Sequence, residues 1–557
     1  MPRPDLPSAV SRRPSPLLLL AFAVAALVAL PLAGIVAQFT EPGTAATWRH
    51  LAAHVLPEYL ANTALLCLST GLAVAVIGGG TAWLVAMHDF PGRRWLEWAL
   101  VLPLAMPAYV LAYVYTDLLQ YAGPVQSGLR AAFGWQRGDY WFPEIYGLGG
   151  AATVFAASFY VYVYLLARTA FLERAGGAAE AARSLGCGAW GAFLRVSLPL
   201  ARPAIAAGTA LALMETLADY GAVAYYALPT FTTGIYRAWF ALGDRAAAAQ
   251  LAATLLGFVL LLLTLERAAR GRARFHGGSR RRSPRRALHG VAAWLATLGC
   301  ALPLAIGFVL PAGRLLALAH ADGDAQLGPR FLTLAGNSLA ISALTAALAT
   351  LLALALAYGA RLARGPARRA AGLLNRGIAL GYAVPGSVIA VGILIPVTRL
   401  DHAIAALWQS LGQPHPGLLL TGGLAALVYG YLVRFLSVAV QTVDTGLSRI
   451  TVSMDEAARS LGRGRGALLR EVHLPLLRGS LASAALLVFV DTMKELPATL
   501  VMRPFNFDTL ATQVYTLAAD ERLAEASTAA LAIVAVGVLP LILLSRHIAQ
   551  GTQPQDG

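Results

Sequence analysis

Charged residues set among long apolar runs are the first feature of this chain with chemical meaning. Glu215 and Asp219 fall in one apolar stretch, and Asp491, Lys494 and Glu495 fall in another. A carboxylate or ammonium in hydrocarbon costs at least about 3 kcal/mol, so such residues mark a pathway, a pairing or both. At an offset of 276 residues Glu215 aligns with Asp491 and Asp219 with Glu495. Each pair is spaced i, i+4, which puts both acids on one face of a continuous helix, and the two pairs are expected to converge near an axis relating the stretches. Carboxylate oxygens suit a hard cation, so a cation pathway is one reading. The other is that Lys494, Arg503 or Arg237 neutralises the acids and locks the helices together. The two are compatible, because a carboxylate can do both at different stages of a cycle.

The elements that position these acids are duplicated. Residues 180–202, EAARSLGCGAWGAFLRVSLPLAR, align without a gap on 456–478, EAARSLGRGRGALLREVHLPLLR, with 13 of 23 positions identical. Asn62-Thr63 and Asn337-Ser338 open corresponding helices, and Pro107 and Pro385 break the next pair. Glu-Ala-Ala-Arg-Ser-Leu forms helix readily. The glycine that follows, Gly186 or Gly462, supplies the left-handed turn that ends it, and Pro199 or Pro475 fits the first turn of the next helix, where a missing N–H costs nothing.

The chain has 557 residues, 58% hydrophobic and 13% charged, against roughly 25% charged in soluble domains. Lipid is therefore its solvent. Apolar windows place crossings near 17–37, 60–87, 95–118, 147–168, 203–225 and 247–265, then near 290–312, 337–361, 374–398, 417–440, 479–501 and 526–545. These give an all-α integral membrane protein of about 12 crossings in two six-helix repeats. The first run follows Arg3, Arg12 and Arg13 but is longer than a 7–15-residue signal core, so an uncleaved anchor is expected. The net charge of +15 gathers between runs, at Arg93-Arg94, at Arg368-Arg369 and in nine arginines between 266 and 286. This fits a positive-inside topology with lipid contact; no nucleic-acid motif accompanies it. Six crossings separate the copies, an even number, so both motifs face the cytoplasm and the repeats are parallel rather than inverted.

The expected organisation is a cytoplasmic N-terminus (1–16), a first half (17–265, motif loop 180–199), an arginine-rich cytoplasmic linker (266–289), a second half (290–545, motif loop 456–475) and a cytoplasmic tail (546–557). Lys494 is the only lysine, preceded by Met493, so the chain holds no phosphate-binding P-loop. Cys67, Cys187 and Cys300 are scattered. His320, His402 and His415 lack ligand spacing and are expected to be mostly solvated. Tyr160 and Tyr164 share a helix face, as do Tyr109 and Tyr113; phenols can meet iron, but interfacial tyrosines are commoner.

Each copy of the motif resembles the EAA loop of ABC importer permeases, through Glu180, Ala181, Ala182, Gly186, Val196, Leu198 and Pro199, and through Glu456, Ala457, Ala458, Gly462, Val472, Leu474 and Pro475. The segments METLADYGAVAYYALPTFTTGIYRAWFA (214–241) and DTMKELPATLVMRPFNFDTLATQVY (491–515) resemble fused ferric-ion permeases. The resemblance implies a type I importer fold in a bacterial inner membrane. It implies two ATPase subunits docked on the EAA loops, with ATP and magnesium bound by those subunits and no cofactor on this chain. It also implies a periplasmic binding protein that delivers iron(III). Fused thiamine permeases share the architecture and are the alternative cargo class. A proton-coupled secondary transporter with Glu215 and Asp219 as carriers, or a non-transporting scaffold, would be a different class of protein.

Overall fold

The computed structural model describes residues 16–40, 44–172, 178, 181–182, 184–270, 285–321, 327–363 and 365–550. The chain's N-terminus, most of the linker and the end of the tail lie outside these residues. In the first half, α1 is Pro16–Ala37, α2 Leu56–Met87, α3 Arg93–Ala99, α4 Ala108–Leu119, α5 Leu148–Ala170, α6 Leu198–Ala218 and α7 Arg245–Arg270. In the second, α8 is Val291–Ala321, α9 Pro329–Leu362, α10 Gly365–Ala379, α11 Gly386–Ser410, α12 Leu424–Ser448, α13 Val452–Ser460, α14 Leu474–Met493 and α15 Leu523–Gln550. Eleven described helices are long and apolar enough to cross a bilayer, and a bent pair brings the number to 12.

That bent pair corrects one expectation. The third crossing is not one helix from 95 to 118: Arg93–Ala105 and Ala108–Phe133 meet at 93°. Pro107 sits at the break with extended backbone (ψ 141°) and starts α4, because the residue before a proline avoids helical geometry and Pro107 itself lacks an N–H. Pro385 does the same before α11, with ψ 143°.

The repeat is a repeat in space. Helices α2, α5 and α6 form the packed core of one half, and α9, α12 and α14 that of the other. Asn62 Nδ2 donates to the Pro229 carbonyl at 3.0 Å, and Asn337 Nδ2 to the Asp508 carbonyl at 3.0 Å. Thr230 and Thr509 each build a capping box on the short helix that follows. The large apolar side chains Leu68, Leu72 and Val76 of α2 stand exposed along one face, as expected where lipid is the neighbour.

The first helix of each half, however, reaches onto the other half. Helix α1 lies against α9, α10 and α11, and α8 lies against α2 and the Leu102–Ala105 turn as well as α15 of its own half. Both crossings depend on glycine: a Cβ at Gly34 would meet the Gly392 carbonyl at 2.4 Å, and one at Gly307 would meet the Ala157 carbonyl at 2.5 Å. Close backbone approach through small residues is the usual way that helices associate in lipid. A further tie joins the end of α2 to the linker, where β1 (His88–Asp89) pairs in parallel with β2 (Arg286–Ala287).

Candidate functional site: a charged cavity on the axis between the halves

Glu215, Asp219, Asp491, Lys494 and Glu495 all line one interior cavity of about 90 Å³, together with Arg434, Tyr109, Tyr162 and Tyr382. The acids therefore converge, but not as helical i, i+4 faces. Helix α6 ends at Ala218 and α14 at Met493, so Asp219 and Glu495 sit in the non-helical turns beyond them. Each caps the short helix that follows. Asp219 Oδ1 accepts from the Ala222 and Val223 N–H groups at 2.9 and 3.3 Å. Glu495 Oε1 accepts from the Ala498 N–H, and Oε2 from the Thr499 N–H, at 3.1 Å each. A proline at Pro497 makes the second break legible in sequence; nothing comparable marks the first. Carboxylates at helix N-termini are favoured by the exposed N–H groups, so Asp219 and Glu495 hold backbone as well as line the cavity.

Of the three expected counter-ions one, Lys494, is in place. Lys494 Nζ pairs with Asp491 at 2.9 Å within its own segment. Arg503 instead pairs with Asp508, and Arg237 lines a separate space. The residue missed in sequence is Arg434 of α12, whose guanidinium lies 3.2 Å from Glu495 Oε1 and 3.5 Å from Glu215 Oε2. Its signal was present in LVYGYLVRFLSVAV, an arginine isolated in an apolar run.

Above the cavity, Tyr220 stacks on Tyr236 with ring centroids 3.6 Å apart, and Tyr515 Oη donates to Tyr220 Oη at 3.2 Å. Tyr236 and Tyr515 hold the same register of the repeat, six residues after Thr230 and Thr509. Tyr236 Oη donates to the Pro497 carbonyl. Tyr220 and Tyr236 also line a second space of about 450 Å³, with Tyr59 and Arg237. Tyr160 and Tyr164 play another part: their hydroxyls donate to the Leu100 and Glu97 carbonyls and hold the end of α3. Tyr109 and Tyr113 have buried hydroxyls without a hydrogen-bond partner. Among the described residues, no three His, Cys, Asp or Glu side chains gather as a resident metal site.

At the other end of the molecule are the two repeated loops. Gly186 has φ +90° and Gly462 φ +76°. Beside them, Cys187 N–H donates to Ala182 O and Arg463 N–H to Ala458 O, both at 3.0 Å, so the turns close identically. Ala181 and Ala182 flank the first turn, while Glu180 lies outside the described residues. In the second loop Glu456 and Ala457 are exposed and Ala458 is buried. Pro199 and Pro475 stand in the first turn of α6 and α14, just after Leu198 and Leu474. Leu185 and Leu461, at equivalent positions, are 86% and 80% exposed.

The second loop has an anchor whose three residues are not repeated in the first. Asp455, buried in α13, accepts from Arg361 Nε and Nη2 at 2.9 Å each and from His473 Nε2 at 2.9 Å. Arg361 also donates to the Leu447 and Ile450 carbonyls. Burial pushes the Asp455 carboxyl up, but the Arg361 and His473 hydrogen bonds outweigh it and hold the group below the usual carboxylate range. His473 is fully buried, an exception among histidines that are otherwise mostly exposed, His320, His402 and His415 included. The corresponding first-half residues are Ala179, Ala86 and Ser197.

Twin repeated loops, a duplicated helical body and a charged cavity lined by both halves are features of a membrane permease built from two like halves. Residues 75–270 match the family described as the binding-protein-dependent transport system inner membrane component. In its double length, its 11 to 12 candidate membrane spans and its repeated loops the chain resembles a fused two-half, multi-pass inner-membrane permease of that ABC transport class. It is 26% identical to the Fe(3+)-transport system permease protein FbpB 2 of Haemophilus influenzae, over 96% of this chain and 99% of the relative. It is 24% identical to the probable ABC transporter permease protein y4fN of Sinorhizobium fredii, over 89% of this chain and 88% of the relative. A shorter match, 33% over 25% of this chain and 58% of the relative, is to the molybdenum transport system permease protein ModB of Escherichia coli.

Proposed function

We propose that this chain is the membrane pathway of an ATP-driven importer of iron(III), fed from outside by a binding protein and driven from inside by two ATPase subunits. The observation that carries the cargo reading is the interior cavity to which each half contributes two carboxylates. Oxygen-rich, acidic linings suit a small hard cation, and the fused relative that aligns end to end is named for Fe(3+) transport. The ATPase reading rests on the paired exposed leucines Leu185 and Leu461 at the tips of two identically closed turns. An exposed apolar side chain repeated on two matched protrusions fits two copies of one partner. Nucleotide and magnesium belong to those partners, and this chain's part is to bind cargo and transmit movement.

The test is uptake of radiolabelled iron(III) against thiamine in a strain lacking the chromosomal copy. Glu215→Gln with Asp491→Asn is expected to lower iron uptake at least tenfold while leaving the amount of assembled complex within about twofold. Equal loss of uptake and assembly would make the acids structural. Thiamine uptake without iron uptake would move the cargo to the alternative class, and uptake that survives ATP depletion but collapses with an uncoupler would overturn the ABC mechanism.

A further inference from the structure

Arg434 is the one cavity residue that touches acids of both halves. Its Nη1 lies 3.2 Å from Glu495 Oε1, in its own half, and its Nη2 lies 3.5 Å from Glu215 Oε2, in the other. The two contacts are unequal in kind as well as length. Glu495 is held by the Ala498 and Thr499 N–H groups and the Thr499 hydroxyl, so it anchors the guanidinium rigidly. The contact with Glu215 is long and less saturated. Arg434 Nε is buried with no hydrogen-bond partner at all, so the group sits in a site that does not fully satisfy it. Room for it is built in: a Cβ at Gly386 would lie 2.6 Å from Glu495 Oε1 and 3.0 Å from Arg434 Nη1. No symmetry mate competes, because the same register of α5 holds Ser158.

We infer that Arg434 is a tethered counter-ion that holds Glu215 when cargo is absent and yields it only to a multiply charged cation. The inference rests on the cavity being the cation path. A guanidinium already fixed beside Glu215 by its bond to Glu495 needs no further ordering, and a free monovalent ion of equal charge gains no Coulomb energy by replacing it. A trivalent ion at the same distance has three times the Coulomb attraction and displaces it. Arg434 is thus a specificity-determining residue that keeps sodium and potassium off the path. Once cargo has left, it reoccupies Glu215 and opposes return.

The test uses terbium(III), a hard trivalent ion whose luminescence is sensitised by nearby tyrosines, on the full chain in detergent. Arg434→Met, and separately Arg434→Met with Glu495→Gln so that no anchoring charge is stranded, are expected to bind terbium about tenfold more tightly than the parent. They should also become sensitive to competition by sodium, which the parent resists. Arg434→Lys should behave as the parent, and adding Glu215→Gln should remove the gain. Unchanged or weaker terbium binding in the double variant, a gain that survives Glu215→Gln, or the absence of any Glu215-dependent signal overturns the inference. Iron import by the parent complex is scored separately: failure there with the terbium pattern intact sinks the iron reading and leaves Arg434's role standing.

Discussion

Replacing Asp455 by asparagine would test how the second inward loop is fastened to the membrane body. Asp455 accepts three hydrogen bonds at 2.9 Å, two from Arg361 and one from His473, with both partners largely or wholly buried. An asparagine keeps one acceptor oxygen and turns an amide donor towards the remaining donors, so about two charge-assisted bonds are lost at roughly 1.5–3 kcal/mol each. Arg361 keeps its existing bonds to the Leu447 and Ile450 carbonyls and so is not left wholly unpaired, which puts the net local cost at the lower end, about 3 kcal/mol. That raises the opening equilibrium of α13 on the order of 100-fold. Amide hydrogen exchange resolved by segment would show faster exchange over Val452–Ser460, with α12 and α14 unchanged in their centres. Parent-like exchange in α13 would refute the argument that this triad carries the loop. The pH dependence follows from the same contacts. Because the folded carboxyl is held below its unfolded value of about 3.9, its stabilisation is complete above that value and is lost as pH falls through the lower folded one. Pepsin nicking between Val452 and Gly462 should therefore be flat down to about pH 4 and rise below it.

Three further outcomes are expected. Gly386→Ala drives a methyl into Glu495 and Arg434 at 2.6 and 3.0 Å and should cost about 1–3 kcal/mol in detergent unfolding. Ser387→Ala, next in sequence, removes a buried hydroxyl that has no partner and should be neutral or stabilising; the reverse order would contradict the packing. Gly186→Pro with Gly462→Pro forbids the positive φ of both turns, so ATP hydrolysis by the assembled complex should continue while uptake is lost; normal coupling in that double variant would sink the docking role.

Much of this architecture was legible because it was written twice. The gapless match of 180–202 to 456–478 fixed the parallel repeat, and Gly186, Gly462, Pro199 and Pro475 announced their turns through backbone requirements that few other residues meet. The convergence of the four acids could be read from their common offset. Their local geometry could not, since an apolar run carries no signal that α6 stops at Ala218 rather than continuing to Tyr225. The reach of α1 and α8 onto the opposite half was also silent, because glycine at Gly34 and Gly307 reads as helix-neutral in lipid until its neighbour is known. Arg434 was silent for a related reason: its register mate is Ser158, so the duplication that marks the four acids carries no signal for it.

That broken symmetry has a consequence for assembly. The first half brings two acids and no base to the cavity, while the second brings two acids balanced by Arg434 and Lys494. Two copies of the first half would pool four uncompensated negative charges, and two copies of the second would pool none. Only the unlike pair gives the intermediate field, a formal excess of two. A single polypeptide guarantees that every particle contains one of each, so the electrostatic setting of the path is fixed by covalent stoichiometry and cannot be scrambled by like halves finding each other.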